Sequence, residues 1–204
     1  MFRLDNLLES WAVIYTPLSH NLSAAAKPQD KSFFRIDRLD VENEWTRNQN
    51  LIQHPCMLFN TQIEAELDKN HPKHASYAHG FFLAVRQQSV NNAANDNDAA
   101  DCKLQLDEMV LDLVAFLFIT QEYVEGISLP KNTPDDVRQL LLTLSTDDKR
   151  YIRGWQLDGL RWWTTPRYLQ GWWLVGIEFD SLDPRPLCLS PSKYGVLPDD
   201  DSSD

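Results

Sequence analysis

Basic residues are scarce in this chain: 19 Lys and Arg stand against 30 Asp and Glu in 204 residues, a formal net charge of −11. A surface that grips DNA, RNA or an anionic lipid face needs positive charge over the contact. The balance therefore excludes a general affinity for any of them and leaves room only for a local basic patch. Cysteine is equally thin. Cys56, Cys102 and Cys188 lie far apart with no CxxC pair, which argues against a disulfide framework and a cysteine zinc site. There are seven glycines and no GxGxxG or GxxxxGK, so phosphate-loop nucleotide binding has no anchor. GxSxG is missing too, and Ser10, Ser19 and Ser145 fall in helical or loop contexts without the strained turn of a serine nucleophile. The longest apolar run, Leu113 to Ile119, is seven residues, against roughly 20 for a membrane span. Asp5 and Glu9 sit where a signal peptide needs a bare apolar stretch. The expectation is a soluble, unexported chain.

What is present reads as a folded α+β protein. Residues 3–16 place Leu4, Leu7, Leu8, Trp11 and Ile14 at helical spacing before Pro17. Residues 18–32 lack a period and read as loop, Phe33–Arg38 as a short extended piece, and Asp40 as the N-cap of a helix to about Gln53. From Cys56 the period becomes two: Met57, Phe59, Thr61, Ile63, Ala65 and Leu67 share one face, and Asn60, Gln62, Glu64 and Glu66 the other. Tyr77, His79, Phe81, Leu83 and Val85 alternate in the same way, so 56–67 and 76–87 suggest a hairpin.

Residues 88–102 hold four Asn and three Asp with only small apolar partners. Such a stretch buries too little surface to offset its ordering entropy, and it reads as a flexible loop or a partner-binding arm. The strongest helix follows at 104–125. Leu106, Met109, Val110, Leu113, Phe116, Leu117 and Thr120 trace one stripe, and Leu111, Val114 and Phe118 widen it enough to predict burial on two sides. A second helix starts at Thr133 as cap, with Pro134 in its first position and Val137, Leu140, Leu141 and Leu144 as its stripe. Residues 151–163 and 168–181 then read as strands joined by the turn TTPR, and Leu187–Leu189 as a last short strand.

Helices and hairpins are grouped rather than alternated singly. That order predicts an antiparallel-rich sheet built from two hairpins, with helices packed on one face. The domain expectation is one unit over 1–198, with a helical extension at 1–53, the Asn/Asp-rich loop at 88–102 and an acidic tail at 199–204.

Three groups of residues invite a functional reading. His71, His74 and His79 lie within nine residues, and three imidazoles can hold zinc with an open position. Their spacing fits no helical ligand face, loop histidines are more often solvated, and a metal-dependent hydrolase stands as an alternative only. Glu64 and Glu66, or Asp199 to Asp201, could meet Mg²⁺, though a solvated face explains them more simply. The aromatic set is richer: Trp155, Trp162, Trp163, Tyr168, Trp172 and Trp173 crowd one hairpin. Adjacent residues of a strand point to opposite faces, so one Trp of each pair can enter a core while the other needs cover. A helix of the same chain or a subunit interface can supply it; stacking on sugars or bases is the third choice, and the net acidity weighs against bases.

The segment GWQLDGLRWWTTPRYLQGWWLVGIEFDSLDPRPLCLSPSKY resembles small bacteriophage tail proteins of tail terminator or tail-completion type, on Gly171, Trp172, Trp173, Cys188, Pro191, Lys193 and Tyr194. As topology the likeness extends over residues 55–194. The resemblance implies a structural virion protein that forms a homo-oligomeric ring at the end of the tail tube beside tail-tube or neck proteins. It brings no catalytic residue, no cofactor, no specific nucleic-acid contact and no membrane. A component of a contractile injection system is the related alternative. Trp162, Trp172, Tyr168 and Tyr194 are the interface candidates.

Overall fold

The computed structural model describes residues 4–23, 25–36, 53–61, 64–67, 75–87, 95–169 and 172–183. Within them the chain runs through α1 (Leu4–Ile14), β1 (Phe33–Ile36), β2 (Cys56–Asn60), β3 (Glu64–Leu67), β4 (Ala75–Arg86), α2 (Asn95–Glu125), α3 (Asp135–Leu142), α4 (Thr146–Ile152), β5 (Trp155–Leu169) and β6 (Trp172–Leu182). The expected helix at 40–53, the strand at 187–189 and the acidic tail lie outside the described residues.

Five strands follow the path β1-β2-β4-β6-β5, and β3 pairs with β4 beside it. All pairings are antiparallel except that of β1 with β2. The centre is the long β4–β6 ladder, which runs from Ser76 opposite Leu182 to Arg86 opposite Trp172. The fold is α+β, with a mixed, mostly antiparallel sheet.

The period-two pattern sorts the strand residues into two clusters. Phe33, Met57, Phe59, Phe81, Leu83, Val85, Val175, Ile177 and Phe179 join the larger one, together with Leu8 and Trp11 of α1, the stripe of α2 and Ile152 of α4. Their neighbours Cys56, Leu58, Ala84, Trp172 and Leu174 form a second buried cluster on the opposite parity, with Phe34, Ile36 and Phe82 half-buried against it. β2, β4 and β6 therefore bury both of their faces, which is why their sequences hold so few polar positions. Burial also drives the Cys56 thiol upward, so it stays protonated and unreactive.

α1 is fixed to β1 by charge. The Arg35 guanidinium donates to both carboxylate oxygens of Glu9, at 3.0 and 2.8 Å, to Asn6 Oδ1 at 2.9 Å, and to the Asp5 carboxylate. This pairing holds the Glu9 carboxyl below its ordinary range and raises Arg35. The loop between them is tied by His20, whose Nδ1 accepts the backbone N–H of Ser32 at 3.1 Å and of Phe33 at 3.2 Å. Its Nε2 lies 3.6 Å from Glu9.

Four expectations need correction. α2 begins at Asn95, so residues 95–102 are helix rather than loop. Once a long helix is nucleated, each further residue adds a hydrogen bond at little cost, and acidic or amide side chains suit the N-terminal turns. The outer side of α2 is not buried: Leu111 is 60 % and Phe118 41 % exposed. Thr133 does not cap α3. Pro134 occupies that place without a side-chain bond, and Arg138 instead gathers the carbonyls of Pro130, Lys131 and Thr133. Residues 146–152, of which the last two are expected to begin a strand, form α4 under a capping box in which Ser145 Oγ accepts from Asp148 N–H and the Asp148 carboxylate from Ser145 N–H.

Trp172 is the largest fully buried side chain of the second cluster. Trp172→Ala is expected to lower unfolding free energy by about 3–5 kcal/mol, whereas Leu111→Ala on the open side of α2 changes it by less than about 0.5 kcal/mol. Urea melts of the two variants check the contrast.

Candidate functional site

β5 ends the strand path, and among the described residues no strand pairs with its outer side. It is fifteen residues long and pairs inward with β6, with register shifts between Gln156 and Arg161 and between Thr165 and Leu169. TTPR is thus part of the strand and not the turn. Pro166 has no N–H to give to a ladder, and an edge strand with a register shift is where the fold tolerates that.

The pleat decides what the edge displays. Trp162 stands opposite Ile177, on the parity of the larger cluster, and Trp163 opposite Gly176, on the other. Trp162 is 49 % and Trp163 42 % exposed. Trp163 lies flat over Gly176: a Cβ built there would sit 2.5 Å from its Cζ2. Glycine is needed at 176 because the indole occupies the space of a side chain. Arg161 lies on the Trp163 side and donates to the Glu178 carboxylate across the strands. The edge therefore carries an indole above, an indole and a guanidinium below, and between them backbone that no strand pairs among the described residues.

The interface candidates separate. Trp162 is on this edge. Trp172, expected beside it, is fully buried on the opposite parity and offers no surface to a partner. Trp162 pairs with Ile177 and Leu169 with Trp172, and this register sets Trp162 on the side of the odd-numbered residues of β6, Trp173 among them, and not on that of Trp172. Trp173 is half-buried against the larger cluster, as Val175 and Ile177 require, and donates from Nε1 to Gln87 Oε1 at 3.3 Å. The backbone of Tyr168 belongs to β5, its side chain lies outside the described set, and Tyr194 lies outside it altogether.

Of the histidine group, His71 and His74 lie outside the described residues. His79 is buried on β4, its Nε2 2.7 Å from Ser181 Oγ, its ring against Phe179, and its Nδ1 without a hydrogen-bond partner among the described residues. Among the described residues no three His, Cys, Asp or Glu side chains are grouped to hold a metal ion, and no helix is long and apolar enough to cross a membrane. The sequence reading missed His20 and the stripe on the outside of α2. The first has no local signal, because its partners are backbone groups. The second had one: Leu104, Leu111 and Phe118 recur every seven residues.

Comparison with protein-family models, curated proteins and solved structures returns no match.

Two measurements test the site's local physics. Gly176→Ala is expected to lift the Trp163 ring off the sheet, seen as red-shifted tryptophan emission with the fold retained. Burial pushes His79 down to about 4 from 6.5, so the unfolded chain binds its proton first as pH falls. Its contribution is intact above about 6.5, is lost between 6.5 and 4, and amounts to about 3 kcal/mol. Burial shifts His20 and His54 in the same direction. Wild type should therefore lose more stability between pH 7 and pH 4.5 in urea melts than His79→Gln, which keeps a partner for Ser181 and does not titrate.

Proposed function

We propose that this chain is a non-enzymatic assembly protein of a bacteriophage tail, of tail terminator or tail-completion type, which closes into a homo-oligomeric ring on the end of the tail tube. The observation that carries the reading is the β5 edge: a long outermost strand with Trp162 and Trp163 exposed on its two sides. An unpaired strand edge with large apolar side chains is an aggregation liability on a solitary chain. It is a resource on one that meets a neighbour, where Trp is among the residues that contribute most.

Other features agree. The α+β order that the tail-protein resemblance implied is present, and the net charge of −11 suits a conduit for DNA that must not grip phosphate. Two non-equivalent surfaces meeting head to tail give a ring when the rotation closes. The virion is then the place of work, with tail-tube or neck proteins as further partners. A contractile injection apparatus uses the same kind of ring and is the related reading.

Light scattering after gel filtration tests this. Wild type is expected as one species several protomers in mass, and Trp162→Ala as a smaller, folded species, because truncation costs about 2–4 kcal/mol at each contact. A wild type that stays monomeric at every concentration overturns the proposal.

A further inference from the structure

The 31-residue helix α2 has two apolar faces and buries only one. Directly opposite its core stripe, Leu104, Leu111 and Phe118 follow each other at seven-residue spacing, with Ala115 between the last two. Leu104 and Leu111 are each 60 % exposed. A helix turns once in 3.6 residues, so these side chains form a nearly straight line down the outside of the molecule. Such spacing is the seam of a helix packed against something. Exposed acids flank the line at Asp101, Asp107, Glu108 and Asp112, with Lys103 as the basic residue among them.

We propose that this outer stripe of α2 receives the β5 edge of the next copy of the chain, with Trp162 seated between Leu111 and Phe118 over Ala115, and Arg161 against Asp107 and Glu108. The proposal rests on the assembly reading above and names the second surface of the contact. Three features select that occupant. Glu108 and Ala115 are seven residues apart, about 10 Å along the axis at 1.5 Å per residue, a span suited to the adjacent guanidinium and indole, which project from opposite sides of β5. The charges are complementary: Arg161 is a largely exposed cation, and its pair with Glu178 is a surface ion pair of the kind that exchanges partners at small cost. A second α2 is a poor occupant, because two stripes laid antiparallel about Leu111 bring Asp107, Glu108 and Asp112 of both copies near one another, and like charges repel. A donor edge and an acceptor helix on one chain make the contact heterologous, the kind that propagates into a ring.

The test is a mixing experiment on the full chain. Leu111→Arg places a cation in the acceptor facing Arg161 and leaves the donor edge intact. Trp162→Glu places an acid in the donor facing Asp107 and Glu108 and leaves the acceptor intact. Both positions are exposed, so far-ultraviolet circular dichroism spectra should match wild type. Each variant alone is expected to be monomeric by light scattering, and an equimolar mixture to rise to at least twice that mass, because the intact edge of one variant meets the intact stripe of the other. Leu111→Arg that still assembles like wild type, while Trp162→Glu does not, overturns the α2 acceptor and leaves the assembly reading standing. A mixture that stays monomeric likewise overturns the pairing. Wild type that is itself monomeric overturns both readings.

Discussion

The pleat of the β5–β6 hairpin governs what this molecule buries and what it shows. Successive side chains of a strand must point to opposite faces, and the hairpin carries a Trp-Trp pair on each strand. β6 lies between β4 and β5, so both members of its pair enter apolar surroundings: Trp172 in the second cluster, Trp173 against the larger one. β5 is outermost among the described strands, and the same alternation leaves Trp162 and Trp163 partly in solvent. One covalent rule, applied at two depths of one sheet, gives one buried indole, one half-buried and two exposed.

The rest of the described chain supports that sheet. α1 is held to β1 by the Arg35 fork on Glu9, and His20 ties the intervening loop through two backbone amides. Trp11 stacks on Tyr15 and meets Phe116 of α2, and Tyr15 donates to Asp112. These contacts fix one side of α2 and orient its other side outward. The exposed Leu104, Leu111 and Phe118 line is thus a consequence of core packing on the helix's opposite face.

Much of the fold was legible because it rests on short-range periodicity. The alternation of β4 and β6, the buried stripe of α2 and the α+β class all follow from counting by two or by three and four. What could not be counted was long-range. A helix beginning in the Asn/Asp run at residue 95 depends on the turns after it, and α4, at seven residues, is too short to show a periodic stripe behind its Ser145 cap. The Trp162 and Trp172 grouping failed because an even-numbered residue of β5 faces an odd-numbered one of β6, as Trp162 faces Ile177, and nothing in a strand's own sequence announces which edge position it will take. The Leu104, Leu111 and Phe118 line was visible as spacing, but its exposure is a property of the packed molecule.

The central claim is that copies of the chain meet through the β5 edge. Hydrogen exchange read by mass spectrometry, at a concentration where the protein is assembled and at one where it is dispersed, addresses this without any substitution. The account predicts slower exchange on assembly for amides of residues 158–165, where an open strand edge becomes covered. Unchanged exchange there, with protection gained at a different surface of the assembled protein, would contradict it.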